Sequence, residues 1–312
     1  MVLLRNDSSN KTLLARVLIR DTMCQIREYL AGAISINELA NFFNGYLAEA
    51  VLIRYLLKIG VLQRFLLGRI AISLPDEVKI FVNDKATPSV NVDDHYLRAE
   101  YLRNPEYVPR KGWVVLDVGA HVGLYSMWAS RKVSEGGFVV AFEPNPIVYR
   151  WLVNNIELNR AKNVKALPFA VGDKLGKETL YIADKNIGAS SLIEKHILHN
   201  PSGKYSISSR CTVQVLTLDY LFEKSSRIVG RRLQIVDLAK IDVEGYEMNV
   251  LRGAKRALER GLIKRFIIEV HKDQVSTEDV IKYLSSYGYK VDTIVSFGNV
   301  KDILYMKLTN FN

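Results

Sequence analysis

The chain has 312 residues, of which 48% are hydrophobic and 24% are charged, and its net charge is +10. This length and composition predict one large domain with a full hydrophobic core and an appendage. The charge suits acidic partners such as nucleic acid, anionic lipid or phosphorylated glycans, but a basic solvated surface explains it equally well. Cys24 and Cys211 lie far apart with no further ligands at metal spacing. They imply neither a disulfide framework nor a zinc site, so a reducing, cytoplasmic environment is expected.

The first 75 residues are predicted to form a helical extension, and Pro75 marks its end. Its most apolar part, residues 46–73, is interrupted by basic side chains at Arg54, Lys58, Arg64 and Arg69. No uncharged run there approaches the roughly 20 residues of a membrane-spanning helix. A basic amphipathic pattern is typical of a helix on a membrane surface. It is also typical of a helical layer on a catalytic domain or of a homo-oligomer interface, and these interpretations stay open.

Residues 113–123 predict a buried strand, a tight turn and the start of a helix over 124–133. Asp117 ends the apolar run, and Gly119 and Gly123 follow it. Glycine permits a tight turn and close approach of a ligand to the backbone. A dinucleotide-binding fingerprint would need glycine at positions 121 and 124, which hold His121 and Leu124. The spacing therefore favours S-adenosylmethionine over NAD.

Two further strands supply candidate groups for the rest of a nucleoside. Residues 138–142 form an apolar run that ends at Glu143, where a carboxylate accepts both ribose hydroxyls in many nucleotide-binding sheets. The alternative for Glu143 is a structural place beside the helix that starts at Pro146. Residues 164–169 predict a third strand ending in Ala170–Asp173. Asp173 is either an acceptor for the adenine amino group or a turn residue, and the odds are even.

The middle of the chain, an excursion between the third and fourth predicted strands, departs from the alternation of strands and helices. Residues 178–182 and 213–218 are strand-like, and residues 195–210 are polar enough for a mobile loop over a site. This loop contains His196 and His199.

A second cluster of charged side chains follows the fourth predicted strand. Lys240, Asp242, Glu244 and Glu247 occur at the junction of that strand with a helix, and Glu269 and His271 end the fifth strand. Ligands of open α/β sheets bind at this carboxyl edge. Glu247 also suits the amino end of the helix electrostatically. A helix over 276–286 and a closing strand pair, residues 290–296 and 302–308, complete the chain.

Taken in order, these motifs resemble the FkbM family of class I S-adenosylmethionine-dependent methyltransferases. The resemblance rests on the blocks VVLDVGAHVGLYS (114–126), AFEPNP (141–146), AVGD (170–173), GASSL (188–192), TLD (217–219), KIDVEGYE (240–247) and IEVH (268–271). It covers about residues 95–310 within a domain of residues 76–312, whereas residues 1–75 match no family. His121 stands where the family often has asparagine, and either residue offers a hydrogen-bond donor.

The resemblance implies an α/β Rossmann-like fold with a seven-stranded, mostly parallel sheet whose last strand is antiparallel. It implies methyl transfer, usually to a hydroxyl of a sugar or secondary metabolite. It also implies which residues surround the cofactor. Asp117, Gly119, Ala120, His121 and Gly123 would surround its methionine half, Glu143, Pro144 and Asn145 its ribose, and Ala170, Gly172 and Asp173 its adenine.

The chemistry requires removal of a proton from a weakly acidic hydroxyl. Candidate catalytic residues are Asp242 and Glu244 first, then His271, with Glu269 and Lys240 beside them. The same carboxylates could instead hold a divalent metal that acidifies the hydroxyl. The sequence does not decide between these, and no metal ligand is assigned.

Two functions of other classes compete with this hypothesis. A nucleic-acid methyltransferase fits the net charge, but neither an Asn/Asp-Pro-Pro-Tyr/Phe motif nor an added RNA-binding module is found, so no specific nucleic-acid partner is predicted. A non-catalytic membrane or assembly adaptor would act through the first 75 residues. The expected partner is a small-molecule or glycan acceptor.

Overall fold

The computed structural model describes residues 71–81, 100–184, 186–199 and 205–309. The chain divides into two units, residues 1–102 and 103–312, and each is described by itself. In the first unit, β1 (Ala71–Ser73) pairs antiparallel with β2 (Lys79–Phe81). The strand predicted at residues 78–82 is thus confirmed in its described part. The helical prediction is wrong for residues 71–73, because their backbone groups pair with β2.

Most of the predicted helical extension, residues 1–70, lies outside the described residues. The membrane-surface, packing and oligomer predictions for residues 46–73, and the domain boundary after residue 75, therefore stay predictions. In the part of the chain that the structure describes, no helix combines the length and the apolar character needed to cross a bilayer.

The second unit alternates strands with helices. Its strands are β3 (Val114–Val118), β4 (Phe138–Phe142), β5 (Val164–Leu167), β6 (Phe169–Val171), β7 (Gly176–Ala183), β8 (Ile207–Leu216), β9 (Leu238–Ile241), β10 (Arg265–His271), β11 (Tyr289–Phe297) and β12 (Lys301–Leu308). Its helices are α1 (Leu124–Val133), α2 (Pro146–Leu158), α3 (Glu194–Leu198), α4 (Leu218–Val229), α5 (Glu247–Arg252), α6 (Lys255–Glu259) and α7 (Thr277–Ser285).

Seven of the described strands form one sheet in the order β11-β12-β10-β9-β3-β4-β5. Strands β10, β9, β3, β4 and β5 run parallel to one another, and β12 runs antiparallel to both of its neighbours. The predicted sheet and its reversed last strand are confirmed. Because the central strands are parallel, their carboxyl ends share one edge, where ligands bind in folds of this kind.

The central strands are apolar on both faces, as expected for parallel strands covered by helices. Leu116, Val140, Phe266 and Ile268 are all fully buried in the same core. Burial of each such side chain contributes about 1.5–3 kcal/mol. This packing holds the strand ends, and the polar side chains that follow them, in fixed positions.

The third predicted strand is split in two. β5 ends at Leu167, and after Pro168 the chain enters a smaller sheet with the order β6-β8-β7. Proline has no backbone N–H and cannot continue a ladder. The strand-like segment predicted at residues 213–218 also has different bounds in the structure. β8 begins at Ile207 and ends at Leu216, and Thr217 caps α4 through its hydroxyl.

Two side chains of the TLD block cap helices. The Thr217 hydroxyl accepts from Tyr220 N at 3.0 Å. Both Asp219 carboxylate oxygens accept backbone N–H groups at the start of α6, from Ala257 at 2.8 Å and from Arg256 at 3.0 Å. Such bonds satisfy helix-end N–H groups that would otherwise have no partner. This block is therefore structural in the described fold.

Candidate functional site

The turn between β3 and α1 is fastened to the end of β4. The N–H groups of Gly119 and Ala120 both donate to the carbonyl of Phe142, at 3.1 and 2.8 Å. A Cβ on Gly119 would lie 1.7 Å from the carbonyl oxygen of Asp242, and a Cβ on Gly123 would lie 2.5 Å from Leu152 Cδ1. Both glycines also have positive φ. Close approach of the chain to itself therefore already requires glycine at these positions.

His121 occupies the left-handed region of backbone space, with φ of 51°. Asparagine, aspartate and histidine adopt this conformation more readily than other residues with a side chain. The departure from asparagine therefore preserves the turn. The His121 N–H points out of the turn and donates to Glu143 Oε2 at 2.9 Å.

Glu143 lies at the end of β4 with both carboxylate oxygens fixed by the backbone. Oε2 accepts from His121 N, and Oε1 accepts from Asn145 N at 2.8 Å. Burial raises the pKa of Glu143 to about 7, although these two bonds and Lys240 oppose the shift. Asn145 caps α2 through its side-chain oxygen, while its buried Nδ2 makes no hydrogen bond within the described residues. A carboxylate and an amide donor thus lie together beside the turn.

Asp117 is fully buried and links three elements. Its Oδ2 accepts from the Ser126 hydroxyl of α1 at 2.5 Å, and its Oδ1 lies 3.3 Å from Lys240 Nζ. Lys240 Nζ also donates to the Gly119 carbonyl at 3.0 Å and lies 3.3 Å from Asp242 Oδ2. Burial by itself would lower the pKa of Lys240, but the charges of Asp117, Asp242 and Glu269 raise it above its ordinary value. Lys240 therefore stays protonated and joins the turn to the end of β9.

The predicted adenine segment, residues 170–173, contacts other parts of the chain than the remaining predicted cofactor residues do. Ala170 is buried in the core of the smaller sheet. A Cβ on Gly172 would lie 3.1 Å from the Tyr246 ring, and a Cβ on Gly253 would lie 1.9 Å from the Gly172 carbonyl. Asp173 is exposed, and burial first and then the charge of Asp173 raise the pKa of Tyr246. These contacts tie the segment to the chain after β9, and its adenine role stays a prediction.

The predicted catalytic side chains lie together at the ends of β9 and β10. His271 Nε2 is 3.4 Å from Glu244 Oε2 and 3.6 Å from Glu269 Oε1, and its Nδ1 is 2.9 Å from Glu247 Oε1. Burial would lower the pKa of His271, but these three carboxylates raise it well above its ordinary value. Asp242 is the most open of the group together with Glu244, since 23% of each side chain is exposed.

His196 is the residue of this cluster that the sequence did not identify. It was placed in a mobile loop, but it lies in the short helix α3 and is fully buried. Its Nδ1 lies 2.8 Å from Asp273 Oδ2, and its Nε2 lies 2.8 Å from Glu244 Oε2. Burial opposes protonation, but these two bonds raise the pKa of His196 to about 9. The partners are 77 and 48 residues away in the chain, so no local pattern marks the pairing.

Glu244 is held in a backbone conformation that favours glycine. Its φ is 52°, and its carbonyl accepts from the Ser191 hydroxyl at 2.6 Å. A residue with a side chain pays roughly 1–2 kcal/mol for this conformation. Strain of this kind concentrates at functional sites. The GASSL block thus holds the backbone of Glu244, in the KIDVEGYE block, in this conformation.

An open cleft of about 640 Å³ borders this cluster between α5 and α7. Gly245 and Gln274 line it, together with the side chains of Asn249, Arg252, Asp279 and Lys282. Two basic groups and one acidic group therefore lie in a lining that also includes apolar side chains such as Met248 and Val275.

Three features occur together here: the reversed last strand, the glycine turn after the first sheet strand, and the carboxylate at the end of the second. This fold and this site define a class I methyltransferase. The family model "Methyltransferase FkbM domain" matches residues 117–291. The chain belongs to the FkbM methyltransferase family.

The chain is also similar to the following two proteins and one solved structure. Hexuronic acid methyltransferase AglP of Haloferax volcanii is 29% identical over 172 residues, which are 55% of this chain and 61% of that protein. The 31-O-demethyl-FK506 methyltransferase FkbM of Streptomyces tacrolimicus is 27% identical over 205 residues, covering 61% of this chain and 77% of that protein. The crystal structure of Aeropyrum pernix fibrillarin with bound S-adenosyl-L-methionine aligns with a TM-score of 0.39 at 14% identity, over 76% of this chain and 92% of that one.

Proposed function

We propose that this protein transfers the methyl group of S-adenosylmethionine to a hydroxyl oxygen of a sugar or of a secondary metabolite. One observation carries the proposal. The Glu143 carboxylate and the glycine turn lie on one side of Lys240, and a cluster of carboxylates lies on the other side. Two relatives, a hexuronic acid methyltransferase and a 31-O-demethyl-FK506 methyltransferase, support the acceptor class.

The residues around Glu143 fit the nucleoside part of the cofactor. The two backbone N–H groups use one lone pair on each oxygen, so each oxygen keeps a further lone pair for a hydroxyl donor. A ribose diol supplies two such donors at the spacing of a carboxylate. The buried Nδ2 of Asn145 offers a donor at the same place. The ribose contact of Glu143 is therefore the first cofactor contact that we assign.

The bound cofactor supplies an electrophilic methyl group on a positively charged sulfur. The chain must orient the acceptor hydroxyl and take its proton. Asp242 is the base we assign, because it is partly exposed and its Oδ2 is held by Lys240 at 3.3 Å. Glu244 Oε2 is already in contact with two histidines. Both ring nitrogens of His271 lie against carboxylates, which leaves it no free acceptor.

The cofactor assignment is tested by calorimetric binding of S-adenosylhomocysteine to the full chain. Glu143→Gln removes a charge-assisted acceptor for two hydroxyls, so we expect affinity to fall by about 10- to 100-fold. Glu135→Gln is the matched control, because Glu135 is exposed in the turn after α1, and its affinity should equal that of the wild type. Unchanged affinity in Glu143→Gln would remove the ribose assignment.

The acceptor is tested with radiolabelled cofactor and separate glycan, lipid and small-molecule fractions. Asp242→Asn should bind S-adenosylhomocysteine normally but lose methyl transfer by about 100-fold or more, the usual contribution of a general base. An ether methyl survives mild alkali, whereas a methyl ester releases methanol. Alkali-labile label would show a carboxyl acceptor and would contradict the hydroxyl assignment.

A further inference from the structure

We propose that His196, His271 and Glu244 form a binding site for a divalent transition-metal ion at the ends of β9 and β10. The site stands on its own geometry and does not require the methyl acceptor to be known. It differs from the carboxylate-only alternative considered for the sequence, because two imidazoles supply ligands and one of them, His196, comes from α3.

The three ligand atoms lie close enough together for small side-chain shifts to bring them around one ion. His196 Nε2 and His271 Nε2 lie 2.8 and 3.4 Å from the same Glu244 Oε2, and the three groups each offer one ligand atom within 4.8 Å of the others. Metal–nitrogen and metal–oxygen bonds of about 2.1 Å place neighbouring ligand atoms roughly 3.0–3.5 Å apart. Two histidines and one carboxylate on one side of an ion leave the other side open for a substrate oxygen.

The outer contacts of the two histidines repeat the arrangement found around metal sites. His196 Nδ1 lies 2.8 Å from Asp273 Oδ2, and His271 Nδ1 lies 2.9 Å from Glu247 Oε1. A carboxylate on Nδ1 fixes the ring orientation and keeps a proton on Nδ1, so a metal ion would take the place of the proton on Nε2. Here both rings direct Nδ1 outward to a carboxylate and Nε2 inward to Glu244.

The local charge also favours a cation. Five carboxylates, Asp242, Glu244, Glu247, Glu269 and Asp273, lie around the two rings. Lys240 pairs with Asp242, and Lys301 Nζ pairs with Glu269 at 2.8 Å. A divalent ion would offset the remaining charges without protonating either histidine. Two imidazole ligands select zinc, manganese, iron or cobalt over magnesium and calcium, which prefer oxygen ligands.

A role in catalysis rests on the proposed function. An acceptor hydroxyl held at this site would be more acidic. Its proton passes to the Asp242 carboxylate, its oxygen lone pair forms the bond to the methyl carbon, and the electron pair of the broken C–S bond stays on the sulfur of the cofactor.

The binding site is tested on full-length protein made metal-free by chelator and dialysis. Titration with Zn²⁺ by calorimetry, and with Co²⁺ by its visible absorption, should show one ion bound per chain. His196→Ala and Glu244→Gln should weaken binding by about 100-fold or more, and Asp273→Asn by about 10- to 100-fold, as usual for an outer carboxylate. His199→Ala is the matched control, because His199 follows α3, is exposed and, among the described residues, contacts the Lys195 carbonyl.

Wild-type protein that binds neither ion would overturn the proposal, and so would equal affinity in His196→Ala and His199→Ala. Circular dichroism and thermal midpoints show whether each variant folds. If His196→Ala does not fold, Glu244→Gln and Asp273→Asn carry the test, since they change charge and not shape. S-adenosylhomocysteine binding by the metal-free protein is measured in parallel. Its loss would contradict the proposed function while leaving the metal result intact.

Discussion

Lys240 is the single buried cation that holds the glycine turn to the carboxylate cluster, among the contacts of the described residues. Its ammonium contacts the Gly119 carbonyl, Asp117 and Asp242 within 3.3 Å, and only 4% of its side chain is exposed. Replacing it with methionine keeps the length and flexibility of the side chain and removes the charge. Asp117 then becomes a buried carboxylate without a cation. We expect a loss of about 3–5 kcal/mol, the usual cost of breaking a buried pair from one side.

Lys264→Met is the matched control. Lys264 Nζ lies 3.0 Å from Asp237 Oδ1, so the pair is as close as those of Lys240, but 31% of the lysine side chain is exposed. Pairs open to water contribute about 0–1 kcal/mol. Urea denaturation followed by circular dichroism measures both variants. With a denaturant slope of about 2 kcal/mol per molar, Lys240→Met should lower the midpoint by roughly 1.5–2.5 M.

A second substitution tests the cause of that loss. Adding Asp117→Asn to Lys240→Met removes the uncompensated charge, so part of the lost stability should return. Equal midpoints for Lys240→Met and Lys264→Met would refute the argument. The same holds for a double variant no more stable than Lys240→Met alone, because the isolated carboxylate would then not be the cause.

Three further predictions follow from single groups. The affinity of the wild type for S-adenosylhomocysteine should rise with pH through about 7, because ionised Glu143 accepts two hydroxyls and protonated Glu143 accepts fewer. Calorimetry at pH 6 and pH 8 measures this change, and equal affinity at the two pH values would contradict it. Gly119→Ala should lower the thermal midpoint more than Gly112→Ala. Both residues have φ near +80°, but an added Cβ would lie 1.7 Å from the Asp242 carbonyl oxygen at Gly119 and in open space at Gly112. Equal losses of stability would show that backbone strain alone matters. Asp219→Ala should cost about 1 kcal/mol by uncapping α6, and an unchanged unfolding midpoint would exclude that cap.

The sequence predicted the elements whose signals are local. The helix over 124–133 is found as α1, and the Asn145–Pro146 start of α2 and the Ser276 cap of α7 follow short-range rules. The split between β5 and β6 was also readable, because Pro168 interrupts the predicted strand. The pairing of His196 with Glu244 and Asp273 was not, since it depends on where the excursion folds back onto the sheet.

The glycines of the turn were recognised from the sequence, but the sequence suggested only one physical cause for them. Its spacing indicated a ligand that approaches the backbone. The structure gives a second cause, because the Asp242 carbonyl and Leu152 fill the space that a Cβ would need at Gly119 and Gly123. Sequence spacing cannot separate these causes, since the neighbour that makes the contact lies more than 100 residues away in the case of Asp242.

The spacing of the charged residues in both late motifs follows from strand geometry. Side chains alternate between the two faces of a strand, so residues two apart share a face. Lys240 pairs in register with Asp117 on one side and with Ile267 on the other. Asp242 follows β9 directly and continues the face of Lys240, whereas Glu244 lies in the turn beyond it, with φ of 52°, and is outside this alternation. Within β10, Glu269 and His271 lie on the face of Ile267. A shift of one residue in the register of β9 would turn Lys240 away from Asp117. One register therefore sets both the contact of Lys240 with the glycine turn and its contact with Asp242 at the edge of the carboxylate cluster.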